Sequence, residues 1–244
     1  RISVVPTAEG ERCVMRLLDK SARVYELESI GLDEQNLATL NHYVKFPHGI
    51  ILVTGPTGSG KTTTLYGSLT AISTGDKNIL TIEDPVEYQL DGIYQVQVNT
   101  KKGLTFSAGL RSFLRQDPDV MMVGEIRDVE TAEIAIRAAI TGHLVFSTVH
   151  TNDAPSTVTR LIDLGLEPYL VSSSLVLVVA QRLVRCLCDS CHEWVIPDEH
   201  QLAQLRAIGI NASQLKDGKM AVANGCAECF HSGFSGRTAL YELM

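Results

Sequence analysis

The sequence predicts an α/β domain in which helices cover a mostly parallel β-sheet. Apolar runs typical of buried strands alternate with helix-length segments between residues 49 and 149. The first of these strands continues without a gap into a glycine-rich turn that precedes a helix. A chain of 244 residues can form one substantial core together with a small appendage. We therefore expect one main domain and a smaller one.

The segment before the sheet predicts a β-hairpin and a helix. Strand-like residues 1–5 and 12–18 flank the turn residues 7–11. Residues 26–31 are typical of a linker. A helix is expected over residues 33–44, because acidic residues at its start favour the positive end of the helix dipole.

The sheet itself is predicted from four apolar runs. The expected strands are 49–54, 78–82, 120–123 and 144–149, and the expected helices between and after them include 105–115 and 128–141. Asp128 and Asp153 are candidate N-caps, and Gly142 and Gly165 stand where the two helices should end. Residues 169–180 are interpreted as a further buried helix.

The helix expected at 105–115 has a clear apolar spacing. Its side chains at i, i+4, i+7 and i+8 predict a buried stripe, which comprises Phe106, Leu110, Phe113 and Leu114. Arg111 and Arg115 lie four residues apart on another face of this helix.

The glycine-rich turn fits the phosphate-binding pattern G-x-x-x-x-G-K-[ST]. It comprises Gly55, Pro56, Thr57, Gly58, Ser59, Gly60, Lys61 and Thr62, with Thr63 next. Glycines allow the backbone N–H groups to turn inward around a phosphate of ATP, and the following helix directs its positive end there. We expect Lys61 to reach the β- and γ-phosphates and Thr62 to ligate Mg²⁺. A chance glycine-rich turn is the alternative.

Two acidic stretches follow strands that should end near this loop. Glu83 and Asp84 come after the strand at 78–82, where they could support Mg²⁺ or order water. The run 119–128 is similar to a Walker B strand, except that Gly124 replaces the expected metal-binding Asp. Glu125 is then the first candidate for orienting the attacking water. The competing interpretation is that Glu125 only caps the next helix.

His150 ends the strand at 144–149 and should lie near the same edge of the sheet. There it could sense the γ-phosphate. Many histidines are instead satisfied structural groups, and the sequence leaves both interpretations open.

The C-terminal part contains two C-x-x-C pairs, namely Cys188 with Cys191 and Cys226 with Cys229. Two such pairs are typical of a structural tetrahedral Zn²⁺ site. The 34 residues between the pairs exceed the usual spacing, so we expect an inserted helix at 200–208. A redox C-x-x-C, and ligation by Cys186, His192 or His231, are the alternatives.

Composition restricts the class of protein. The net charge of −7 and a pI near 5.5 argue against a broad nucleic-acid-binding surface. No apolar run approaches the roughly 18 residues of a membrane-spanning helix. The cysteine usage favours a reducing cytoplasm. Because the chain opens at Arg1 rather than at Met, we expect it to be a piece of a longer protein.

Four motifs together carry a family resemblance. GPTGSGKT, TIEDPVE, LRQDPDVMMVGEIRD and TGHLVFSTVHTND resemble the Walker A, Asp box, Walker B and His box of the ATPases that drive type II secretion and type IV pilus assembly. The resemblance implies a RecA-like ATPase core that works as a cytoplasmic homo-hexamer on inner-membrane platform proteins. The tetracysteine motif is typical of the secretion and assembly members rather than the retraction ATPases.

The chain is expected to divide into four parts. The resemblance implies that residues 1–27 end a preceding domain, and the change to cysteines and a less regular pattern from Cys186 predicts a boundary near residue 184. Residues 28–184 would form the ATPase core, 185–231 the zinc-binding subdomain, and 232–244 the start of a C-terminal segment. In that family arginines approach the phosphates of the nucleotide. By position these are Arg1, Arg16, Arg111, Arg115, Arg127 and Arg160.

Two other classes of function stay open. A nucleic-acid translocase could have the same core and a zinc ribbon, but the acidic charge opposes it. A nucleotide-gated scaffold would bind ATP with negligible hydrolysis, which the acids Glu83 and Glu125 oppose. Arg1 and Arg16 could also be solvated arginines without a role at the nucleotide.

Overall fold

The computed structural model describes residues 2–15 and 26–244. Its strands are β1 (Ile2–Thr7), β2 (Gly10–Met15), β3 (Gly49–Thr54), β4 (Ile79–Glu83), β5 (Tyr94–Gln97), β6 (Val120–Val123), β7 (Leu144–Val149), β8 (Leu175–Leu187), β9 (Glu193–Val195), β10 (Met220–Val222) and β11 (Phe234–Leu243). Its α-helices are α1 (Glu34–Tyr43), α2 (Lys61–Ile72), α3 (Phe106–Phe113), α4 (Val129–Ile140), α5 (Ala154–Asp163), α6 (Pro168–Ser174) and α7 (Glu199–Ala207).

A mostly parallel sheet forms the centre of the fold. Its seven strands follow the order β11-β8-β3-β7-β6-β4-β5, and β3 is parallel to both β7 and β8. The pairs β6–β7, β4–β6 and β4–β5 are also parallel. This confirms the predicted α/β class. All six residues of β3 are buried, as expected for a strand covered on both faces.

Two apolar cores lie on the two faces of the sheet. Ile50 and Leu52 of β3 belong to one core, which also contains side chains of α3 and α4. Ile51 and Val53 belong to the other, which contains side chains of α1 and α2. The alternation of side chains along a strand explains this division. Leu114 was predicted to be buried, but it is 39% exposed because α3 ends at Phe113 and Leu114 occupies its C-cap.

The interpretation of residues 169–180 as one helix is wrong. Helix α6 ends at Ser174, and β8 begins at Leu175. Val178 and Val179 of β8 pair with Leu52 and Val53 of β3. Three of the six residues from 175 to 180 are valines, whose β-branched side chains favour an extended backbone that β3 can pair with.

The chain forms two compact units among the described residues. One contains the residues up to 182 together with 239–244, and the other contains residues 183–238. Residues 232–244 are predicted to start a C-terminal segment, and within them β11 joins the central sheet beside β8. Val178 and Met244 exchange both backbone hydrogen bonds, at 2.8 and 3.0 Å, because the edge of β8 needs a partner.

The N-terminal hairpin is confirmed for the described residues, where β1 pairs antiparallel with β2. Arg1 and Arg16 lie outside those residues. The division that ends a preceding domain at residue 27 stays a prediction. Leu27 itself is buried in the core with side chains of α1 and α2. Within residues 2–15 and 26–244, every helix is too short or too polar to cross a membrane.

Candidate functional site

The phosphate-binding loop lies between the end of β3 and the start of α2. Gly60 is the N-cap of α2 with φ of +89°, a backbone angle that favours glycine. A Cβ on Gly55 would lie 2.2 Å from the carbonyl oxygen of Gln181, so only glycine fits there. The loop therefore has the strand, the glycines and the helix that the sequence predicted.

Lys61 lies at the first position of α2 and folds back over the loop. Its Nζ donates to the carbonyl oxygens of Gly55, at 2.8 Å, and Pro56, at 3.1 Å. Burial lowers the pKa of Lys61, while the nearby carboxylate of Glu125 raises it. The two carbonyl groups thus hold the ammonium group of Lys61 at the cavity beside the loop.

Glu125 follows β6 and faces Lys61 across that space. Its Oε2 lies 2.6 Å from Arg127 Nε, and the side chain is 14% exposed. Asp128, rather than Glu125, caps α4, because its carboxylate accepts from Thr131 N at 2.8 Å. The interpretation of Glu125 as only a helix cap is therefore wrong.

His150 follows β7 and lies between these two groups. Its Nε2 is 3.6 Å from Glu125 Oε2, and its Nδ1 is 3.5 Å from Lys61 Nζ. The side chain is 48% exposed, so His150 is not a buried structural histidine. A backbone hydrogen bond supports this arrangement. Ile126, which follows Glu125, donates its N–H to the carbonyl oxygen of Thr148, two residues before His150, at 2.9 Å.

Glu83 ends β4 and is buried, with 3% exposure. Tyr66 OH donates to its Oε2, while Thr81 Oγ1, at 2.5 Å, and Gln95 Nε2, at 3.1 Å, donate to its Oε1. Burial raises the pKa of Glu83, and the three hydrogen bonds oppose this effect. Both carboxylate oxygens are thus engaged by neighbouring side chains.

A cavity of about 290 Å³ joins the predicted groups. Its lining includes Thr57, Lys61, Thr62, Glu83, Asp84, Glu87, Gly124, Glu125, Arg127, Thr148 and His150. A larger cavity of about 800 Å³ lies between the β4–β5 edge and α3, and its lining contains no residue of the phosphate loop. Chemistry rather than volume therefore identifies the smaller cavity as the candidate site.

Several supporting residues were not predicted from the sequence. Gln181 forms hydrogen bonds with Ser59 of the phosphate loop and with Thr64 of α2, and Tyr66 and Gln95 enclose Glu83. A signal for Gln181 was present, because it is the first polar residue after an apolar run. It was missed because that run was interpreted as a helix.

The arginines suggested by the resemblance are distributed unevenly. Arg127 lies in the cavity, paired with Glu125. Arg111 forms an exposed ion pair with Glu130 at 2.7 Å, and Arg115 Nη1 donates to the Arg111 carbonyl at 2.9 Å. Arg160 lies in the last turn of α5, and its side chain is exposed.

The four predicted cysteines converge within the second unit. Their Sγ atoms all lie within 4.8 Å of one another, and the closest pairs are 3.8 to 4.0 Å apart. A tetrahedral Zn²⁺ with Zn–S bonds of about 2.3 Å requires S–S separations of about 3.8 Å. The donor set therefore fits zinc. Among the described residues, this group contains neither Cys186 nor a histidine.

Backbone groups support the same cluster. Cys226 N and Gly233 N each donate to Cys229 Sγ at 3.2 Å. The first of these hydrogen bonds is the main cause that lowers the pKa of Cys229 to about 6. A thiolate is the form that binds metal. The predicted connecting helix is confirmed as α7, which begins at Glu199.

With its loop at the carboxyl edge of a parallel sheet, the first unit is a phosphate-loop domain of the kind that binds nucleotides. The chain belongs to the family described as type II/IV secretion system protein, whose model matches residues 1–244. It is 54% identical over 244 residues to type II secretion system protein E of Pseudomonas aeruginosa. This match covers 100% of this chain and 48% of the relative.

Other relatives agree. The chain is 53% identical over 245 residues to type II secretion system ATPase E of Vibrio cholerae and 52% identical over 245 residues to the type IV pilus assembly ATPase PilB of Myxococcus xanthus. These matches cover 100% of this chain and 48% and 43% of the relatives. The chain thus spans about half the length of the curated relatives it matches.

A solved structure supports the fold. The pilus retraction motor PilT with bound ADP is 38% identical, with a TM-score of 0.64, and the match covers 75% of this chain and 54% of PilT. The ATPase DotB of Legionella pneumophila is 27% identical, with a TM-score of 0.62, and the match covers 75% of this chain and 53% of DotB.

Proposed function

We propose that the chain is the catalytic part of an ATPase that powers type II protein secretion or type IV pilus assembly. The observation that carries the proposal is the convergence of Lys61, Glu125 and His150 on one cavity beside the phosphate loop. The names of the relatives support the same activity.

Each group has a distinct role in this proposal. The loop N–H groups and Lys61 bind the phosphates, and Thr62 contributes a hydroxyl toward Mg²⁺, which neutralises phosphate charge when bound. Glu125 orients the attacking water, and it must first turn from Arg127 toward that water. His150 contacts the γ-phosphate end of the site from its place beside Lys61. Glu83 acts less directly, by fixing the neighbouring loop.

The second unit is proposed to hold one structural Zn²⁺. Cys188, Cys191, Cys226 and Cys229 supply four thiolates, which close the coordination shell and leave no position for a substrate. The metal would stabilise the fold of this unit. Hydrolysis of ATP requires no group from this cluster.

The proposal extends to the assembly. The chain would act in a homo-hexamer on the cytoplasmic side of the inner membrane, through platform proteins and without nucleic acid. Arginines near the nucleotide, including Arg1 and Arg16, would add positive charge at the transition state. In comparable enzymes such an arginine raises the rate by about 10³-fold or more.

Phosphate release from Mg-ATP tests this proposal directly. We expect steady turnover that does not rise with single-stranded DNA, and a rate per chain that rises with protein concentration as light scattering reports assembly. Arg16→Ala should lower kcat far more than nucleotide affinity. Stimulation by DNA would favour a translocase, and binding without turnover would favour a scaffold. A monomer as active as the oligomer would contradict the role of assembly.

A further inference from the structure

We infer that Gln181 is a positioning residue that holds the phosphate loop in its anion-binding conformation. The inference rests on the proposed nucleotide binding. Gln181 lies 122 positions along the chain from Ser59, outside the four motifs that carry the family resemblance.

The sheet places Gln181 against the loop. Strand β8 runs parallel to β3, and the last residues in register are Thr54 and Ala180. Gln181 is thus the next residue beyond the pair that ends β3, where the loop begins. It is 2% exposed, and its carbonyl oxygen lies where a Cβ on Gly55 would have to be.

The side chain of Gln181 joins the phosphate loop to helix α2. Its Nε2 donates to the carbonyl oxygen of Ser59 at 2.6 Å, and its Oε1 accepts from Thr64 Oγ1 at 2.7 Å. The Ser59 carbonyl can only accept, so the amide nitrogen must face it. A single primary amide therefore supplies a donor to the loop and an acceptor to α2.

The first of these hydrogen bonds fixes the peptide group that joins Ser59 to Gly60. In a trans peptide the C=O and the following N–H point in opposite directions. Because the Ser59 carbonyl faces Gln181, the Gly60 N–H points away from β8. Within residues 2–15 and 26–244 this N–H donates to no backbone carbonyl. It is one of the N–H groups that a phosphate loop uses to cradle phosphates.

Loss of the amide should release this peptide. The Ser59 carbonyl would then be buried without a donor, and rotation of the peptide toward another partner would turn the Gly60 N–H out of the anion-binding position. We therefore expect substitutions at Gln181 to weaken binding of ADP, whose phosphates contact the loop, rather than only to lower stability.

Two substitutions separate this role from a packing role. Gln181→Met keeps the volume and removes both hydrogen bonds, so Mg-ADP should bind about tenfold or more weakly. Gln181→Glu has no donor when ionised, but its protonated carboxyl can again donate to Ser59 and accept from Thr64. Affinity relative to wild type should recover as pH falls from about 8 to about 5, because burial raises the pKa of such a carboxyl.

The experiment measures Mg-ADP affinity by calorimetry across this pH range, with thermal unfolding as a check on folding. Gln35→Glu, on the exposed surface of α1, is the matched control and should follow wild type at every pH. Wild-type affinity in Gln181→Met, or a flat ratio of Gln181→Glu to wild type, would overturn the inference while nucleotide binding stands. Failure of the wild-type chain to bind ADP would instead refute the proposed function and this inference with it.

Discussion

His150 Nε2 lies 3.6 Å from Glu125 Oε2, although the two residues follow different strands. The other ring nitrogen of His150 lies 3.5 Å from Lys61 Nζ, so the imidazole connects the candidate phosphate-binding lysine with the candidate water-orienting acid. Their arrangement gives each group a separate, measurable role.

Lys61→Ala should reduce ATP turnover to background while the chain stays folded. The substitution removes the phosphate contact and the hydrogen bonds to the Gly55 and Pro56 carbonyls, but the apolar cores are unchanged. Phosphate release and circular dichroism measure the two effects. Lys101→Ala, on an exposed segment, is the control and should keep wild-type turnover. Full activity in Lys61→Ala would contradict the assigned site.

Glu125→Gln should bind Mg-ATP and retain it unhydrolysed. The loop and Lys61 remain, whereas the carboxylate that orients water is lost, and such groups contribute about 10²-fold or more in rate. A filter-binding assay with single-turnover kinetics separates binding from chemistry. The exposed Glu133→Gln on α4 should behave as wild type. Turnover at the wild-type rate in Glu125→Gln would show that another group positions the water.

Glu83 should give the free energy of unfolding a pH dependence. Its folded-state pKa is raised above the ordinary value of 4.5, so between these two values the folded chain binds more protons than the unfolded chain. The contribution of Glu83 to the free energy of unfolding is therefore complete at pH values below the ordinary pKa. It is lost as pH rises through the raised, folded-state pKa. Denaturant unfolding at several pH values should show this slope in wild type and not in Glu83→Gln. Equal slopes in both chains would exclude Glu83 as its source.

Purified chain should contain about one zinc per molecule, because the four thiol groups already have the required spacing. Serine at any of Cys188, Cys191, Cys226 or Cys229 should release the metal and unfold the second unit locally, while the phosphate loop still binds nucleotide. Elemental analysis and ADP titration measure these effects. Cys186→Ser should keep its zinc. A chain prepared without chelator that contains no metal would refute the zinc site.

The phosphate loop and the cysteine pairs could be predicted because their chemistry is written in contiguous residues. A loop from Gly55 to Thr62 needs particular residue types at fixed spacing, and so does each C-x-x-C pair. The strands 49–54, 120–123 and 144–149 were predicted correctly because buried parallel strands are short continuous apolar runs.

Residues 175–180 show where local pattern failed. An apolar run cannot by itself distinguish a buried helix from a buried strand, and here the open edge of β3 decided the outcome. Local pattern also made no prediction for the pairing of β11, which lies beside β8 in the structure.

The sequence by itself determined the candidate residues that the structure brings together: Lys61 and Thr62 in the loop, Glu125 and His150 after their strands, and four cysteines. Only the tertiary structure decided which residues form hydrogen bonds that hold these groups in place. Gln181 reaches Ser59, and Tyr66 and Gln95 enclose Glu83, through contacts between residues far apart in the chain or on different elements. Such contacts depend on strand order and register, which no local pattern encodes, because a buried polar group takes whichever partner the folded backbone brings within hydrogen-bond distance.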